Sequence, residues 1–176
     1  MKEIFLPFAK YNEETNKIIA GILGKLSNDD REKNRKSYYG SLSGLYRHVV
    51  GCSVYFLSLF KEAVSGNAGA VKAIESLAKV EIPYEGKLTE AQWKKLLSSA
   101  KIVDKAFVDF VGALNDKDYQ APVKIEWYKG KPPSVPLWFM LQQHTVHNTH
   151  HRGQISQILD SLKIEHDFSG ISAKFL

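Results

Sequence analysis

Apolar residues recur at steps of three and four over four long stretches of the chain, the period of amphipathic helices. The first covers roughly residues 5–26, with Phe8, Tyr11, Thr15, Ile18, Ile19, Ile22 and Leu26 on one stripe and Asn12 and Asn16 beside it, one turn apart. The second covers roughly residues 41–65, lined by Leu42, Leu45, Val49, Cys52, Phe56, Leu59 and Phe60, with Ser41 or Ser43 placed to cap its start. The third opens on Thr89 with Gln92 three residues later, a capping box. It runs through Trp93, Leu96, Leu97, Ala100, Val103, Phe107 and Phe110 to Leu114. The fourth starts at Pro136, a residue suited to a first helical turn, and ends near Leu162.

The connections have their own character. Residues 29–36 are a charged run that reads as an exposed connector. Gly66-Asn67-Ala68-Gly69 breaks the second helix, a short helix fits residues 70–77, and Pro83 and Gly86 interrupt again. Residues 123–128 partly alternate apolar with charged, and Lys129-Gly130-Lys131-Pro132-Pro133 turns the chain, a short two-stranded, hairpin-like excursion before the last helix. The aromatics Trp93, Trp127, Trp138, Phe107, Phe110 and Phe139 read as core. The pattern predicts an all-α four-helix bundle, with one long crossover between the second and third helices.

Composition narrows the class without changing the picture. With 176 residues, 44% hydrophobic and 24% charged, the chain is one globular domain spanning residues 1–176. The net charge of +5 comes from lysines spread along the sequence, so a nucleic-acid partner is not what this charge points to. No apolar run reaches the roughly 20 residues that span a bilayer, and the N-terminus has no secretory apolar region. The expectation is a cytoplasmic protein without a membrane partner. One cysteine, Cys52, rules out an internal disulfide or a cysteine-rich zinc ribbon.

Chemistry concentrates at His144–Gln154, where four of six histidines lie within eight residues. On a helix His147 and His151 form an i, i+4 pair about 6 Å apart along the axis, able to converge on one metal ion. His144 shares their face but lies about 10.5 Å from His151 along the axis, which suits a flanking pocket or supporting group. His150 points off the face, and His166 lies in a polar tail and reads as surface. A third ligand has an obvious donor in His48, alone within the apolar pattern of the second helix. Three neutral imidazoles leave a divalent ion its Lewis acidity and a fourth position open for water or an anionic substrate atom such as a thiolate. Imidazole suits zinc, nickel, iron and copper alike.

Three stretches together resemble the DinB family, also called DinB/YfiT-like metalloenzymes. Tyr11-Asn12-Glu13-Glu14-Thr15-Asn16 looks like its first-helix YN-x-x-x-N signature. The stretch from Tyr39 to His48 is similar to the segment that carries its first histidine, and His147-Asn148-Thr149-His150-His151-Arg152-Gly153-Gln154 to its H-x-x-[HY]-H-R-G-Q motif. The resemblance implies a four-helix bundle with non-sequential helix order, often a homodimer. It also implies a divalent metal (nickel, zinc or iron) on His48, His147 and His151. In some relatives it implies transferase or isomerase chemistry on a small-molecule substrate with a low-molecular-weight thiol, and the family name records induction by DNA damage. Relatives frequently carry an acidic residue one turn after the first histidine; this chain has Gly51-Cys52-Ser53 there.

Around that set several readings stay open. Cys52 is either a fourth soft ligand, a reactive thiol, or a small buried apolar residue. Gln154 either orients a ligand histidine or packs, and Asn12 and Asn16 either hydrogen-bond at the bundle mouth or face solvent. Tyr55 and Trp138 stand near the histidine level and are candidates to wall a pocket. Two functions follow: a metal-dependent enzyme, of thiol-transfer or metal-activated-water type, or a non-enzymatic metal-binding stress-response module. DNA binding is a distant third.

Overall fold

In the computed structural model, which describes residues 1–84, 86–125, 133–168 and 170–171, the helices are α1 (Lys2–Leu23), α2 (Asn28–Glu32), α3 (Leu42–Ala63), α4 (Ala68–Ala73), α5 (Glu90–Ala113) and α6 (Leu137–Ser161). Strands β1 (Pro122–Lys124) and β2 (Ser134–Pro136) precede α6. The four long helices are those the periodicity predicts, and their starts follow local chemistry. Ser41 caps α3 by accepting from the Gly44 amide, and Thr89 with Gln92 forms the capping box of α5. Helix α1 begins at Lys2, earlier than expected, and carries Pro7 inside it.

Contacts set the directions. Lys2 reaches the Gly112 carbonyl while Asn16 reaches Asp104, so α1 and α5 are antiparallel. Tyr46 packs on Trp93 and Phe60 on Phe110, so α3 and α5 run parallel. Ser53 meets His144 while His48 meets His151, so α3 and α6 are antiparallel. Around the ring, α1 lies against α5, α5 against α3, α3 against α6, and α6 closes on α1. Parallel neighbours joined in sequence need a connection running the length of the bundle. Residues 64–89 supply it, with α4 and a 3-10 turn at Glu75–Lys79 laid on α5. This is the predicted crossover.

In the hairpin Pro122, Val123 and Lys124 pair with Pro136, Val135 and Ser134, and the Ile125 amide donates to the Pro133 carbonyl; residues 126–128 of the expected strand, Trp127 among them, and most of the turn lie outside the described residues. Val123 is buried, and the Leu137 amide donates to the Ala121 carbonyl at 2.9 Å, anchoring the start of α6.

The charged run after α1 is exposed at Asp29, Asp30, Lys33, Asn34 and Lys36, as expected, but Arg31 and Glu32 within it are buried. Arg31 in α2 is 1% exposed. It donates to the Leu23 carbonyl at the end of α1 and to the Leu26 carbonyl just beyond it, pairs with Glu90 at the start of α5, and lies 4.9 Å from the Trp93 ring centroid. Because α1 ends where α5 begins, one guanidinium can serve both termini. Replacing Arg31 by Ala should therefore destabilise the fold by about 2–3 kcal/mol, read as a lower denaturation midpoint at unchanged slope.

Candidate metal centre

The segment before α3 is a tight loop, and its residues explain why the first histidine stands where it does. Gly40 has φ +76°, a conformation open to glycine, and the Arg35 amide bonds the Gly40 carbonyl. The chain then folds back over the first turn of α3, where a Cβ on Gly44 would collide with the Tyr39 carbonyl. This close approach lays the Tyr39 ring on His48, with centroids 3.8 Å apart and planes 21° from parallel, and its edge toward His151 at 5.4 Å. Arg47 donates to the Pro83 and Gly86 carbonyls, tying the crossover to the same turn of α3.

Three histidines converge beneath Tyr39. His147 Nε2 lies 3.1 Å from His48 Nε2 and 3.2 Å from His151 Nε2. Nitrogens bound tetrahedrally to one ion at about 2.0–2.1 Å sit about 3.3 Å apart, and the two separations at His147 are close to that. The proton count agrees. Gln154 Oε1 accepts from His151 Nδ1 at 2.8 Å, which leaves His151 Nε2 bare. One ring proton, on His48 or His147, is then the most that fits among these nitrogens, whereas one cation would satisfy every lone pair. Burial, reinforced by the neighbouring rings, lowers His48 and His147 to about 4 and lowers His151 as well, so all three are neutral at pH 7, as ligands must be.

Cys52 belongs to the same cluster: His48, Cys52 and His147 each offer an atom within 4.8 Å of the others. Its Sγ is 3.5 Å from both nitrogens of His48, which places it beside that ring instead of on the Nε2 axis. Burial pushes the thiol up to about 11.

A second polar system starts one turn away. His144 is fully buried between the rings of Phe107 and Phe56, and burial lowers it to about 3. Its Nε2 accepts from Asn148 at 3.0 Å and lies 2.9 Å from Ser53 Oγ. Asn148 also donates to Asn12 Oδ1 at 3.1 Å, as does Arg152, whose guanidinium lies 5.0 Å from the Tyr11 ring centroid. Asn12 and Asn16 in turn donate to Asp104 Oδ1 at 3.3 and 2.7 Å. Serine, histidine, asparagines, arginine and aspartate thus link α3, α6, α1 and α5 in one chain of hydrogen bonds. Burial dominates Asp104, whose carboxyl is pushed up to about 8 although Asn16 and Arg152 pull the other way.

The structure therefore gathers His48, His147 and His151, with Cys52 and Gln154 touching them, while His144 and Asn12 serve the buried network. Tyr55 is 46% exposed, and the next residue, Phe56, turns inward to His147. Trp138 packs half-buried in the first turn of α6, beside Phe139. His150 is exposed, as its helical angle predicts, but His166 is not a surface residue: its ring folds back onto α6, with Nε2 2.6 Å from Ser156 Oγ. Tyr39, Ser53 and Asp104 were not among the residues the sequence pattern singled out. Asp104 had one available signal, a charge inside the apolar stripe between Ala100 and Phe107.

Comparison with known proteins gives one match. The sequence pattern of the DinB family fits residues 1–162. No curated protein and no solved structure matches the chain.

The network makes stability depend on pH in a definite direction. Because Asp104 holds its proton more tightly folded than unfolded, the folded state binds more protons between about pH 4 and 8. Its contribution is full below pH 4 and is lost as pH rises through about 8. Asp104→Asn cannot titrate, so its denaturation midpoint, compared with wild type across this range, should gain on wild type as pH rises.

Proposed function

As the chain belongs to the DinB family, we propose that it is a metal-dependent enzyme acting on a small molecule, with one divalent ion held by His48, His147 and His151. The observation that carries this reading is the approach of His48 Nε2 and His151 Nε2, from two antiparallel helices, to within 3.1 and 3.2 Å of His147 Nε2. A divalent ion bound there supplies Lewis acidity to a thiolate or a water at its remaining position.

The protein side of the chemistry is done by named residues. Gln154 holds the proton of His151 on Nδ1 and keeps Nε2 turned inward. Tyr39, stacked on His48, covers one side of the cluster and leaves the imidazole little room to turn. Phe56 closes the inner side against His147, away from the Asp104 network. Substrate is then confined to the face that these two aromatics leave open. The resemblance to thiol-using relatives favours a low-molecular-weight thiol as the substrate or co-substrate, with an electrophile as its partner.

Cys52 supports a second reading. Four protein ligands would close the site, the arrangement of structural metal centres, and the ion would then chiefly fasten α3 to α6. Chelation should in that case lower the melting temperature strongly while no thiol and electrophile pair turns over.

Protein prepared without a polyhistidine tag should carry one divalent ion per chain by elemental analysis. His147→Ala and His151→Ala should lose it, and Cys52→Ser should keep it; full metal in both histidine variants overturns the assignment. Gln154→Ala should weaken metal affinity by about 10–100-fold without unfolding the protein, measured by competition with a chromophoric chelator. Turnover in a screen of small thiols against electrophiles separates the enzyme from the purely structural centre.

A further inference from the structure

A cavity of about 630 Å³ opens between α1 and α5, and none of its lining residues is a histidine. Two polar side chains line it although each is more than nine-tenths buried: Tyr46, 1% exposed, and Asp104, 6% exposed. Asp104 Oδ1 is taken by the amides of Asn12 and Asn16. Among the described residues, Asp104 Oδ2 and the Tyr46 hydroxyl make no hydrogen bond, and neither belongs to the partnerless polar atoms sealed inside the core. Both are therefore reached from the cavity, and a buried carboxylate oxygen and a phenol in this state call for a partner.

The surroundings say which partner. Ala20, Gly21, Leu97 and Ala100 give the cavity small, apolar walls. At the mouth stand Glu13, Glu14, Lys17 and Lys101. Lys17 engages Glu14 at 3.5 Å, and the Glu13 carboxylate adds negative charge toward Asp104. Once ionised, the Asp104 carboxylate only accepts hydrogen bonds and the phenol can accept, so the head group that matches the ionised site is rich in donors and cationic, which describes an ammonium. Glu13 disfavours an anion beside Asp104 even with Lys101 at the mouth, and an alcohol would bring a single donor and no charge.

We propose that this cavity is a binding site for a small primary amine, its ammonium on Asp104 Oδ2 and the Tyr46 hydroxyl, its short aliphatic body along Ala20, Gly21, Leu97 and Ala100. The site is separate from the histidine cluster and does not require a metal. Burial holds the Asp104 proton tightly in the empty cavity, and Arg152 and Asn16 only partly offset this. Arrival of R–NH₃⁺ favours the ionised carboxylate, so the carboxyl proton leaves to solvent as the ion pair forms. The cavity volume falls within the roughly 300–1,000 Å³ of small-molecule sites.

Calorimetric titration of the full chain at pH 7 with n-butylammonium chloride tests the assignment, with n-butanol as the uncharged control. Butylammonium should bind with a Kd on the order of 1 mM, which so few non-hydrogen atoms can support, and butanol at least about tenfold more weakly. Heats in two buffers of different ionisation enthalpy should differ by the released proton. Asp104→Asn should weaken butylammonium by about tenfold or more. Gly21→Leu should abolish binding, since Gly21 lines the cavity and a Cβ there meets nothing within 4 Å, so a bulky side chain can be placed on that wall without a clash. If Asp104→Asn does not fold, Gly21→Leu and the butanol comparison decide alone. Equal binding of butanol, undiminished binding by Gly21→Leu, or no heat from butylammonium each overturns the proposal.

Discussion

Buried polar groups must find one another, and in this bundle that requirement sets the register of all four long helices. Apolar stripes alone tolerate sliding, since a Leu or Phe shifted by a turn still meets other apolar atoms. The chain from Ser53 through His144, Asn148, Asn12 and Arg152 to Asp104 does not. A slip of one turn, about 5.4 Å, would strand several of these groups, each at about 1–3 kcal/mol and more for the charged ones. The geometry of the histidine cluster depends on that register. His48 can face His147 and His151 only if α3 and α6 are held antiparallel at this one offset.

The candidate centre and the network sit on the same helix with a division of labour that helical angles impose. His151 points out toward the Tyr39 loop with His147 beside it, while His144 and Asn148 point in toward Phe107 and α1. Both sets are kept neutral by burial, but for different ends. The inward histidine accepts hydrogen bonds from its neighbours, and the outward ones present lone pairs to a shared point. Arg152 follows directly on His151, yet its charge is directed inward to Asn12 and Tyr11, away from the three imidazoles. A cation between those rings therefore does not face the guanidinium.

Signature residues of the family acquire physical reasons here. Tyr11, Asn12 and Asn16 form the bridge between Arg152 and Asp104, so the first-helix motif and the arginine after the last histidine are two halves of one buried ion system. In the segment that carries His48, Gly40 supplies the left-handed turn, Ser41 the cap, and Gly44 the room for the Tyr39 carbonyl. Gln154 fixes the tautomer of His151. These motifs state how a metal-competent cluster is held together; they do not name what it acts on.

Periodicity by itself determined the four long helices, the capping box at Thr89, the crossover between the second and third helices, and the shared face of His147 and His151. Each is a local property, readable from the 3.6-residue repeat and from caps a few residues away. Which helix faces which was decided only in three dimensions, and so were the burial of Arg31 against Glu90, the inward folding of His166, and the partners of Asn12 and Asp104. A charged or polar residue carries the same letter whether it meets water or a partner many residues away along the chain. Only the packing of distant segments supplies that partner, and with it the choice between a solvated side chain and a buried one.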